Sequence, residues 1–354
     1  MRPATPQVDI AGRPVGADHP PFVIAEAGIN HNGQLELALR MVQVAKASGA
    51  DAIKFQTFTA EGLVGDPKVT YTYQSQGKQV TESMQEMFRR VEFSPDEWRA
   101  IKHRCDETGI LFLSTPQNVA DLDLLLSLGV GAIKVGSDDL ATLPLLKRFA
   151  STGLPLLTSC GMADLGEVYQ ALSAIGSLDG YPTVLLLCTS AYPTPPEDVH
   201  LLKLRTLAEA FPMVVLGFSD HTRGMLASSL AVALGATVFE KHFTLDHDLP
   251  GPDHWFSEDP ASLKEWVDAI HSAYRMMGSA VVRPTASEAE MRKLARRSVV
   301  ALKDIGQGEI LSLDNLGLRR PGTGLPPSYL ERLLGRKATR PVAKGNLLEL
   351  GDCT

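Results

Sequence analysis

Two histidines lie at the ends of apolar stretches, where a parallel sheet would bring their side chains together. His221 follows the run Val214–Asp220, and His242 lies near the end of the run Val238–Phe243. Adjacent strands of a sheet are about 4.8 Å apart, so two imidazoles at matching heights can bind one ion. The pair therefore predicts a catalytic divalent metal whose other ligands are water and substrate. Two histidines of an ordinary protein core are the alternative interpretation.

Two lysines occupy similar positions. Lys54 and Lys134 lie toward the ends of apolar runs and are predicted to point into the protein. A buried ammonium group needs an anion, and Glu26 and Glu240 could supply it in a purely structural ion-pair set. The small hydroxyl donors expected at the same level are Thr115, Ser137, Ser159, Ser190 and Ser219. Lysines with such hydroxyls predict a cradle for a phosphate and a carboxylate. A Schiff-base aldolase using either lysine is the competing interpretation, whereas the histidine pair favours metal activation of a carbonyl.

These residues belong to a repeating pattern of apolar runs that become polar toward their carboxyl ends. The eight runs are Phe22–Gly28, Ala52–Phe58, Ile110–Pro116, Ala132–Ser137, Leu154–Gly161, Val184–Ser190, Val214–Asp220 and Val238–Phe243. Most are separated by stretches with helical periodicity, which predicts parallel strands covered by helices. Eight such units predict an α/β fold, a (β/α)8 TIM barrel whose active site lies where the strands end. An open doubly wound sheet is the alternative, and the lack of a GxGxxG motif after the first run counts against its nucleotide-binding form.

Two segments of the barrel portion lie outside this repeat. Residues 59–109 are too long for one helix and contain Tyr71-Thr-Tyr73-Gln, which predicts a lid or binding loop. Residues 8–16 predict a hairpin that covers the bottom of the barrel.

The carboxyl-terminal part of the chain differs in character. Residues 285–297 are predicted as a linker between a barrel domain, 1–284, and a small β-rich domain, 298–354. Within the latter, Ser298–Leu302 and Glu309–Leu311 are predicted strands separated by turns rich in glycine and proline. A domain of about 60 residues buries little surface, so it is expected to dock on another surface.

Composition restricts the class of protein. The chain has 354 residues, of which 44% are hydrophobic and 21% charged, as in ordinary globular proteins. A formal net charge of −7 argues against a nucleic-acid partner, and four cysteines without a CxxC motif fit a reducing compartment. The first ten residues lack the apolar core of a signal peptide, and the longest uncharged runs, 180–196 and 224–239, are short for a membrane span. We therefore expect a cytoplasmic protein without membrane or nucleic-acid partners.

Several blocks of sequence occur in an order that belongs to one known family. In the barrel portion they are Ile24-Ala-Glu26-Ala-Gly28-Ile-Asn30-His31-Asn32-Gly33, Ala52-Ile-Lys54-Phe-Gln56-Thr57, Lys134-Val-Gly-Ser137, Cys188-Thr-Ser-Ala-Tyr192-Pro193, Gly217-Phe-Ser219-Asp-His221-Thr222, Glu240-Lys-His242-Phe-Thr244 and Gly251-Pro-Asp253-His254. Together they resemble the sialic acid synthases. The tail, with Arg297-Ser-Val-Val-Ala and Arg320-Pro-Gly322-Thr-Gly324, resembles that family's antifreeze-protein-like (SAF) domain. The resemblance covers nearly the whole chain, which argues against a chance match.

The resemblance implies that phosphoenolpyruvate, water and an N-acetylated hexosamine such as N-acetylmannosamine are converted to a nine-carbon 2-keto sugar acid and phosphate. It also implies a divalent ion, Mn²⁺, Mg²⁺ or Co²⁺, bound by His221 and His242. The residues that it assigns to the phosphate and carboxylate of phosphoenolpyruvate are Lys54, Thr115, Lys134, Ser137, Ser159, Ser190 and Ser219. The positions that contact the sugar in the family correspond to Gln56, Tyr192 and Asp253. Glu26 fits two roles, shielding cationic character at C2 of phosphoenolpyruvate or accepting a proton from water.

Arg320 is implied to act on a neighbouring subunit. In the family, the small domain reaches the partner subunit's barrel, where an arginine of the Arg-Pro-Gly motif contacts the N-acetyl group of the acceptor. The resemblance therefore implies a domain-swapped homodimer whose sites are each built from two chains. Arg319 precedes the motif and is an alternative to Arg320.

Some positions differ from the pattern of neuraminate-forming bacterial enzymes and leave the acceptor open. Ser190 stands where Asn is common, Asp139 where Glu is common, and Arg296 where an aromatic residue is expected. N,N'-diacetyllegionaminate and pseudaminate synthases, which use a 2,4-diacetamido-trideoxyhexose, share the skeleton, as do spore-coat polysaccharide proteins. A synthase acting on an aldose phosphate would need a further basic site. A carbohydrate-binding protein with an inert barrel would need gaps in the metal or lysine set.

Overall fold

The computed structural model describes residues 5–354, so residues 1–4 of the amino-terminal segment considered above lie outside the described residues. Two compact units are present, one ending at Gly278 and the other comprising Ser279–Thr354. Within the described range, no helix is both long and apolar enough to cross a bilayer.

Eight parallel strands form the core of the larger unit. Its strands in chain order are β1 (Gln7–Ile10), β2 (Arg13–Gly16), β3 (Phe22–Gly28), β4 (Ala52–Thr57), β5 (Thr70–Ser75), β6 (Lys78–Ser83), β7 (Leu111–Pro116), β8 (Ile133–Val135), β9 (Leu156–Ser159), β10 (Thr183–Leu187), β11 (Val215–Asp220) and β12 (Val238–His242). The hydrogen-bonded order is β7-β4-β3-β12-β11-β10-β9-β8, with all eight strands parallel. β7 and β8, at the two ends of this order, are neighbours in space, so the sheet curls round on itself. The predicted barrel architecture is therefore confirmed.

Helices connect the strands. They are α1 (Leu35–Ala47), α2 (Ala60–Leu63), α3 (Met84–Arg89), α4 (Pro95–Thr108), α5 (Val119–Ser127), α6 (Leu143–Ala150), α7 (Leu165–Ile175), α8 (Lys203–Ala210), α9 (Leu226–Ala233) and α10 (Pro260–Met277). In α1 the buried residues Ala38, Met41, Val42 and Ala45 recur at the spacing of one helical face, so the helix packs that face on the barrel.

The interior of the barrel is apolar below the ends of its strands. Phe22, Ile24 and Leu113 belong to a buried cluster that also contains Ile10 and Val15 of the β1–β2 hairpin. The hairpin thus lies at the amino-terminal end of the barrel, where it was expected. Because apolar side chains fill this end, the polar residues of the strands collect at the carboxyl end.

Residues 59–109, predicted as a lid or binding loop, contain regular structure. β5 and β6 form an antiparallel hairpin, and α2, α3 and α4 surround it in the sequence. The hairpin contacts the segment after β12, because Gly251 N donates to Ser75 Oγ (3.0 Å) and Gln76 Nε2 donates to the Asp248 carbonyl (2.8 Å).

The smaller unit contains one two-stranded antiparallel sheet. Its regular elements are α11 (Ala289–Ala295), β13 (Ser298–Ala301), β14 (Leu316–Arg319) and α12 (Leu330–Leu333). β13 pairs with β14, and Val299, Leu316 and Leu348 are buried in the core of the unit. The segment 285–297, predicted as a linker, therefore carries the helix α11.

The predicted strand Glu309–Leu311 is wrong. Ile310 forms only an isolated bridge with Lys337. The Asn315 side-chain amide donates to Glu309 Oε1 (3.1 Å) and to the Ile310 carbonyl (2.9 Å). The Glu309 carbonyl accepts from Ala338 N (2.9 Å) and Leu311 N donates to the Arg336 carbonyl (2.9 Å), so the segment pairs through one bridge and does not extend into a strand.

Candidate active site

A cavity of about 840 Å³ lies at the carboxyl ends of the barrel strands. The predicted site residues that line it are Glu26, Lys54, Gln56, Thr115, Lys134, Ser137, Ser159, Ser190, Tyr192, Ser219, His221, His242 and Asp253. The parallel register brings them together: Glu26 of β3 is level with Lys54 on one side and His242 on the other.

Two lysines and two glutamates form an ion-pair cluster in this cavity. Lys54 Nζ lies 2.9 Å from Glu26 Oε1 and 3.8 Å from Glu240 Oε2. Lys134 Nζ lies 3.9 Å from Glu240 Oε1. All four side chains are buried, and burying charges is costly unless they are paired. Glu240, expected from the sequence as a possible structural counter-ion, contacts both lysines.

The surroundings distinguish the two glutamates. Burial favours the neutral form of Glu240, but Lys134 and Lys54 outweigh burial and lower its pKa. Burial raises the pKa of Glu26 in spite of Lys54. Burial lowers the pKa of Lys134. Burial also acts to lower the pKa of Lys54, but the charges of Glu240 and Glu26 outweigh it, so the pKa of Lys54 is raised. Glu240 is therefore the ionised partner of the lysines, and Glu26 is the better proton acceptor.

Hydroxyl groups extend the lysine cluster. Lys54 Nζ donates to Thr115 Oγ1 (3.2 Å) and Lys134 Nζ donates to Ser159 Oγ (2.7 Å). Lysines and hydroxyls together present several donors on one side of the cavity, which suits an anion with more than one oxygen.

Gly161 lies where two of these hydroxyls and a thiol converge. A Cβ atom at this position would lie 2.5 Å from Ser190 Oγ, 2.8 Å from Ser137 Oγ and 2.9 Å from Cys188 Sγ. Its N–H donates to Ser137 Oγ at 3.0 Å. The chain therefore needs glycine here, because any side chain would displace the hydroxyls.

The two histidines lie on the adjacent strand ends of β11 and β12. Their ring centroids are 5.6 Å apart. Burial lowers the pKa of His221, and burial together with His221 lowers that of His242 well below its usual value, so both rings are neutral. His221 Nδ1 donates to the Thr189 carbonyl (2.7 Å), which leaves the lone pair on Nε2. His242 Nδ1 is buried without a hydrogen-bond partner in the described part of the chain.

These features fit a divalent ion held by two imidazoles. Neutral imidazole is the form that binds metals, and a hydrogen bond on the far nitrogen orients the ring for it. Among residues 5–354 there is no group of three or more His, Cys, Asp or Glu side chains arranged to hold a metal. Two imidazoles would leave the remaining positions of such an ion to water and substrate.

The predicted sugar-contacting residues lie beside the histidines. The Tyr192 ring is 4.3 Å from the His221 ring, and Gln56 Nε2 donates to Glu26 Oε1 (3.3 Å). Asp253 Oδ2 is 3.7 Å from His242 Nδ1, and burial together with Glu26 raises the pKa of Asp253 to about 7.

Sequence reasoning missed part of the cavity wall. The additional lining residues include Tyr71, Tyr73, Gln74, Met84, Met87, Phe88, Trp255 and Phe256. They come from the β5–β6 hairpin, α3 and the segment after β12. The Tyr71-Thr-Tyr73-Gln stretch signalled a binding loop, but nothing in the sequence indicated that α3 and Trp255 would meet it.

Arg320 belongs to the smaller unit. It follows β14 directly and its side chain is exposed, as is that of Arg319.

Known proteins are similar to this chain over most of its length. The sequence matches the model of the NeuB family over residues 41–282 and that of the SAF domain over residues 296–352. It is 41% identical over 341 residues to the N,N'-diacetyllegionaminic acid synthase of Legionella pneumophila, covering 95% of each chain. It is 36% identical over 342 residues to the N-acetylneuraminate-9-phosphate synthase of Homo sapiens, covering 95% of this chain and 94% of the human one.

A solved structure is also similar over most of the chain. The crystal structure of the N-acetylneuraminic acid (sialic acid) synthetase of Leptospira borgpetersenii has a TM-score of 0.73 and 33% identity, covering 81% of this chain and 95% of that chain. These relatives are synthases of nonulosonic acids. The chain belongs to the same family, the NeuB family of enzymes, and carries a SAF domain at its carboxyl end.

Proposed function

We propose that the protein condenses phosphoenolpyruvate and water with an N-acetylated amino sugar to give a nine-carbon 2-keto sugar acid and phosphate. One observation carries the proposal: two buried lysines with hydroxyl donors and two neutral imidazoles share one cavity. An anion site and a metal site side by side suit a reaction between a multiply anionic enol phosphate and an aldehyde.

Phosphoenolpyruvate would bind at the lysine side of the cavity. Lys134 and Lys54, with Thr115 and Ser159 beside them, offer donors to its phosphate and carboxylate. Ser137, Ser190 and Ser219 are proposed to complete this site, because they line the same cavity. Charge-assisted hydrogen bonds of this kind fix orientation as well as affinity.

The acceptor aldehyde would lie toward His221 and His242, the residues proposed to hold Mn²⁺, or alternatively Mg²⁺ or Co²⁺. When bound, such an ion polarises a carbonyl oxygen as a Lewis acid. Gln56, Tyr192 and Asp253 surround this end of the cavity and are proposed to orient the sugar. C3 of phosphoenolpyruvate then forms the new bond to the aldehyde carbon.

Water must add at C2 before phosphate leaves by cleavage of its C–O bond. Glu26 is buried and its pKa is raised, which suits a group that accepts the proton of that water. The same carboxylate could instead stabilise cationic character at C2. Both roles require Glu26 to lie beside the reacting carbon. The ion pair between Lys54 Nζ and Glu26 Oε1 (2.9 Å) would hold the carboxylate in that position.

We propose one of two acceptors. N-acetylmannosamine is the first, and a 2,4-diacetamido-trideoxyhexose is favoured by the 41% identity with a legionaminic acid synthase. An aldose phosphate is less suited, because its second phosphate would need a further basic group. In the described part of the chain, no arginine and no lysine other than Lys54 and Lys134 lines the cavity. Both are already committed to phosphoenolpyruvate.

We further propose a domain-swapped homodimer. In it, the exposed Arg320 of each chain would contact the N-acetyl group of the acceptor bound in the barrel of its partner.

The test is a turnover screen with phosphoenolpyruvate and Mn²⁺, which reads phosphate release against N-acetylmannosamine and its 2,4-diacetamido-trideoxy relatives. We expect phosphate release that depends on one of these sugars. Lys134→Gln, which removes a charge from the anion site but keeps a hydrogen-bond donor, should reduce kcat/KM by about 100-fold or more. Absence of phosphate release with every acceptor would defeat the proposal.

A further inference from the structure

A second buried polar cluster lies on the outer side of the strands that carry the histidines. It consists of Asp220, Lys241 and Glu258, which are 0%, 2% and 6% exposed. Lys241 Nζ lies 3.2 Å from Asp220 Oδ2 and 3.7 Å from Glu258 Oε1. None of the three lines the cavity, so substrate contact does not account for them.

The register of β11 and β12 couples this cluster to the histidines. Successive residues of a strand point to opposite sides, so Asp220 and Lys241 face outward next to the inward-facing His221 and His242. Asp220 and Lys241 are partners in the strand pairing, so one ion pair links the two strands directly behind the imidazoles.

The cluster also fixes the segments that follow both strands. Asp220 Oδ1 accepts from Thr222 N (2.9 Å) and Thr222 Oγ1 (2.7 Å), and Lys241 donates to the Thr222 carbonyl. Glu258 Oε1 accepts from Gly224 N (3.0 Å), while Glu258 N donates to the His242 carbonyl (2.9 Å). The backbone after His221 is therefore bound to the three side chains, and the His242 carbonyl is bound to the backbone of one of the same residues, Glu258.

Helices complete the cluster from outside. Ser228 of α9 donates to Asp220 Oδ2 (2.6 Å), and Trp266 Nε1 of α10 donates to Ser228 Oγ (2.8 Å). Each donor is fully buried. The position of Asp220 is thus determined by the helical layer as well as by the neighbouring strand.

We infer that Asp220, Lys241 and Glu258 are positioning residues that set the distance between His221 and His242 and thereby the affinity for the divalent ion. Well-packed apolar residues could stabilise this layer at least as well as buried ions, so stability alone does not explain the cluster. Polar networks with every member satisfied restrict geometry more than apolar contacts do. The inference rests on the proposed function, because it concerns the metal of that site.

The experiment measures Mn²⁺ binding to the full-length protein by the electron paramagnetic resonance signal of the free ion, together with Tm. Asp220→Asn keeps an acceptor for Thr222 but removes the charge facing Lys241. The matched control is Asp51→Asn, which removes a carboxylate bonded to Arg13 and to Val23 N (2.8 Å) at the opposite end of the barrel.

We expect Asp220→Asn to raise the Kd for Mn²⁺ by about 10- to 100-fold, and Asp51→Asn to change it less than about 2-fold, although both lower Tm. Equal Kd values in folded Asp220→Asn and wild type would overturn the inference. If Asp220→Asn does not fold, Ser228→Ala removes one bond to the same carboxylate and should raise Kd about 3-fold or more. An unchanged Kd in that variant would overturn the inference as well.

The outcomes separate this inference from the proposed function. Wild type that binds Mn²⁺ and releases phosphate, with an unaltered Kd in the variants, refutes only the positioning role. Wild type that binds Mn²⁺ with the expected variant effect but releases no phosphate refutes only the reaction. Wild type that binds no Mn²⁺ overturns the inference and the proposed metal together.

Discussion

His31 is an imidazole buried among aromatic rings and does not line the cavity. Its ring stacks on Phe93 with centroids 4.2 Å apart and lies 6.0 Å from the Phe55 ring. Nδ1 accepts from Gly33 N (3.1 Å), which fixes the turn after β3. Burial, and to a smaller extent His254, lowers the pKa of His31 to about 3, so the ring is neutral in the fold.

This burial makes the stability of the fold depend on pH. The unfolded chain binds a proton at His31 below pH 6.5, whereas the folded chain binds it only near pH 3. The contribution of neutral His31 to the free energy of unfolding is therefore fully present above pH 6.5 and is lost progressively as the pH falls toward 3. At pH 5 this one residue should cost about 2 kcal/mol relative to pH 7.5.

His31→Gln, which keeps an acceptor for Gly33 N, should show a decline in unfolding free energy between pH 7.5 and pH 5 that is smaller than in wild type by about 2 kcal/mol. Urea unfolding at the two pH values measures it. Parallel declines in the two proteins would show that His31 is not buried in its neutral form.

The β5–β6 hairpin is the element that the sequence could not define. Its residues are mostly exposed on both faces, so no alternation of apolar and polar residues marks the two strands. The barrel strands were predictable because they are almost entirely buried and begin as apolar runs. Their polar ends could be assigned to one cavity for the same reason, since parallel strands end on one face. Trp255 and Phe256 reach that cavity from a segment without a periodic pattern, which no rule of spacing predicts.

We expect the hairpin to form the acceptor side of the cavity through its two bonds to the segment after β12. Removing both bonds with Ser75→Ala and Gln76→Ala should raise the KM for the amino sugar by up to about 30-fold, since each of the two bonds contributes about 1 kcal/mol. The KM for phosphoenolpyruvate should change little, because its proposed lysines lie on barrel strands. Steady-state kinetics with each substrate varied in turn measures both values.

Thr81→Val is the control for this variant. It removes a hydrogen bond of 2.8 Å within the hairpin, to Thr72, but no bond to the segment after β12. An equal rise in both KM values in the double variant, or a similar rise for the amino sugar in Thr81→Val, would contradict a specific role in acceptor binding.

For the molecule as a whole, the proposed swap makes the activity of a dimer depend on which chain carries which substitution. Arg320→Ala would leave a chain with an intact barrel, and His221→Ala would leave one with an intact small domain. In a heterodimer of the two, one site would receive both intact parts and the other would receive neither. Random association gives half heterodimers, so the mixture should recover about 25% of wild-type activity.

The measurement is phosphate release after the two inactive proteins are unfolded together, refolded and shown to form heterodimers. Arg320→Ala refolded alone is the control and should stay inactive. Recovery no greater than this control in verified heterodimers would mean that each site takes its arginine from its own chain, or from neither.

The hydrogen-bonded order of the barrel strands begins at β7 and ends at β8, so within the described residues these two strands are adjacent without a backbone ladder between them. β8 is also only three residues long. Lys54 and Thr115 lie on one side of this seam and Lys134 on the other. A small anion bound to all three side chains would connect β7 and β4 with β8, so bound substrate would stabilise the barrel where the backbone ladder is interrupted.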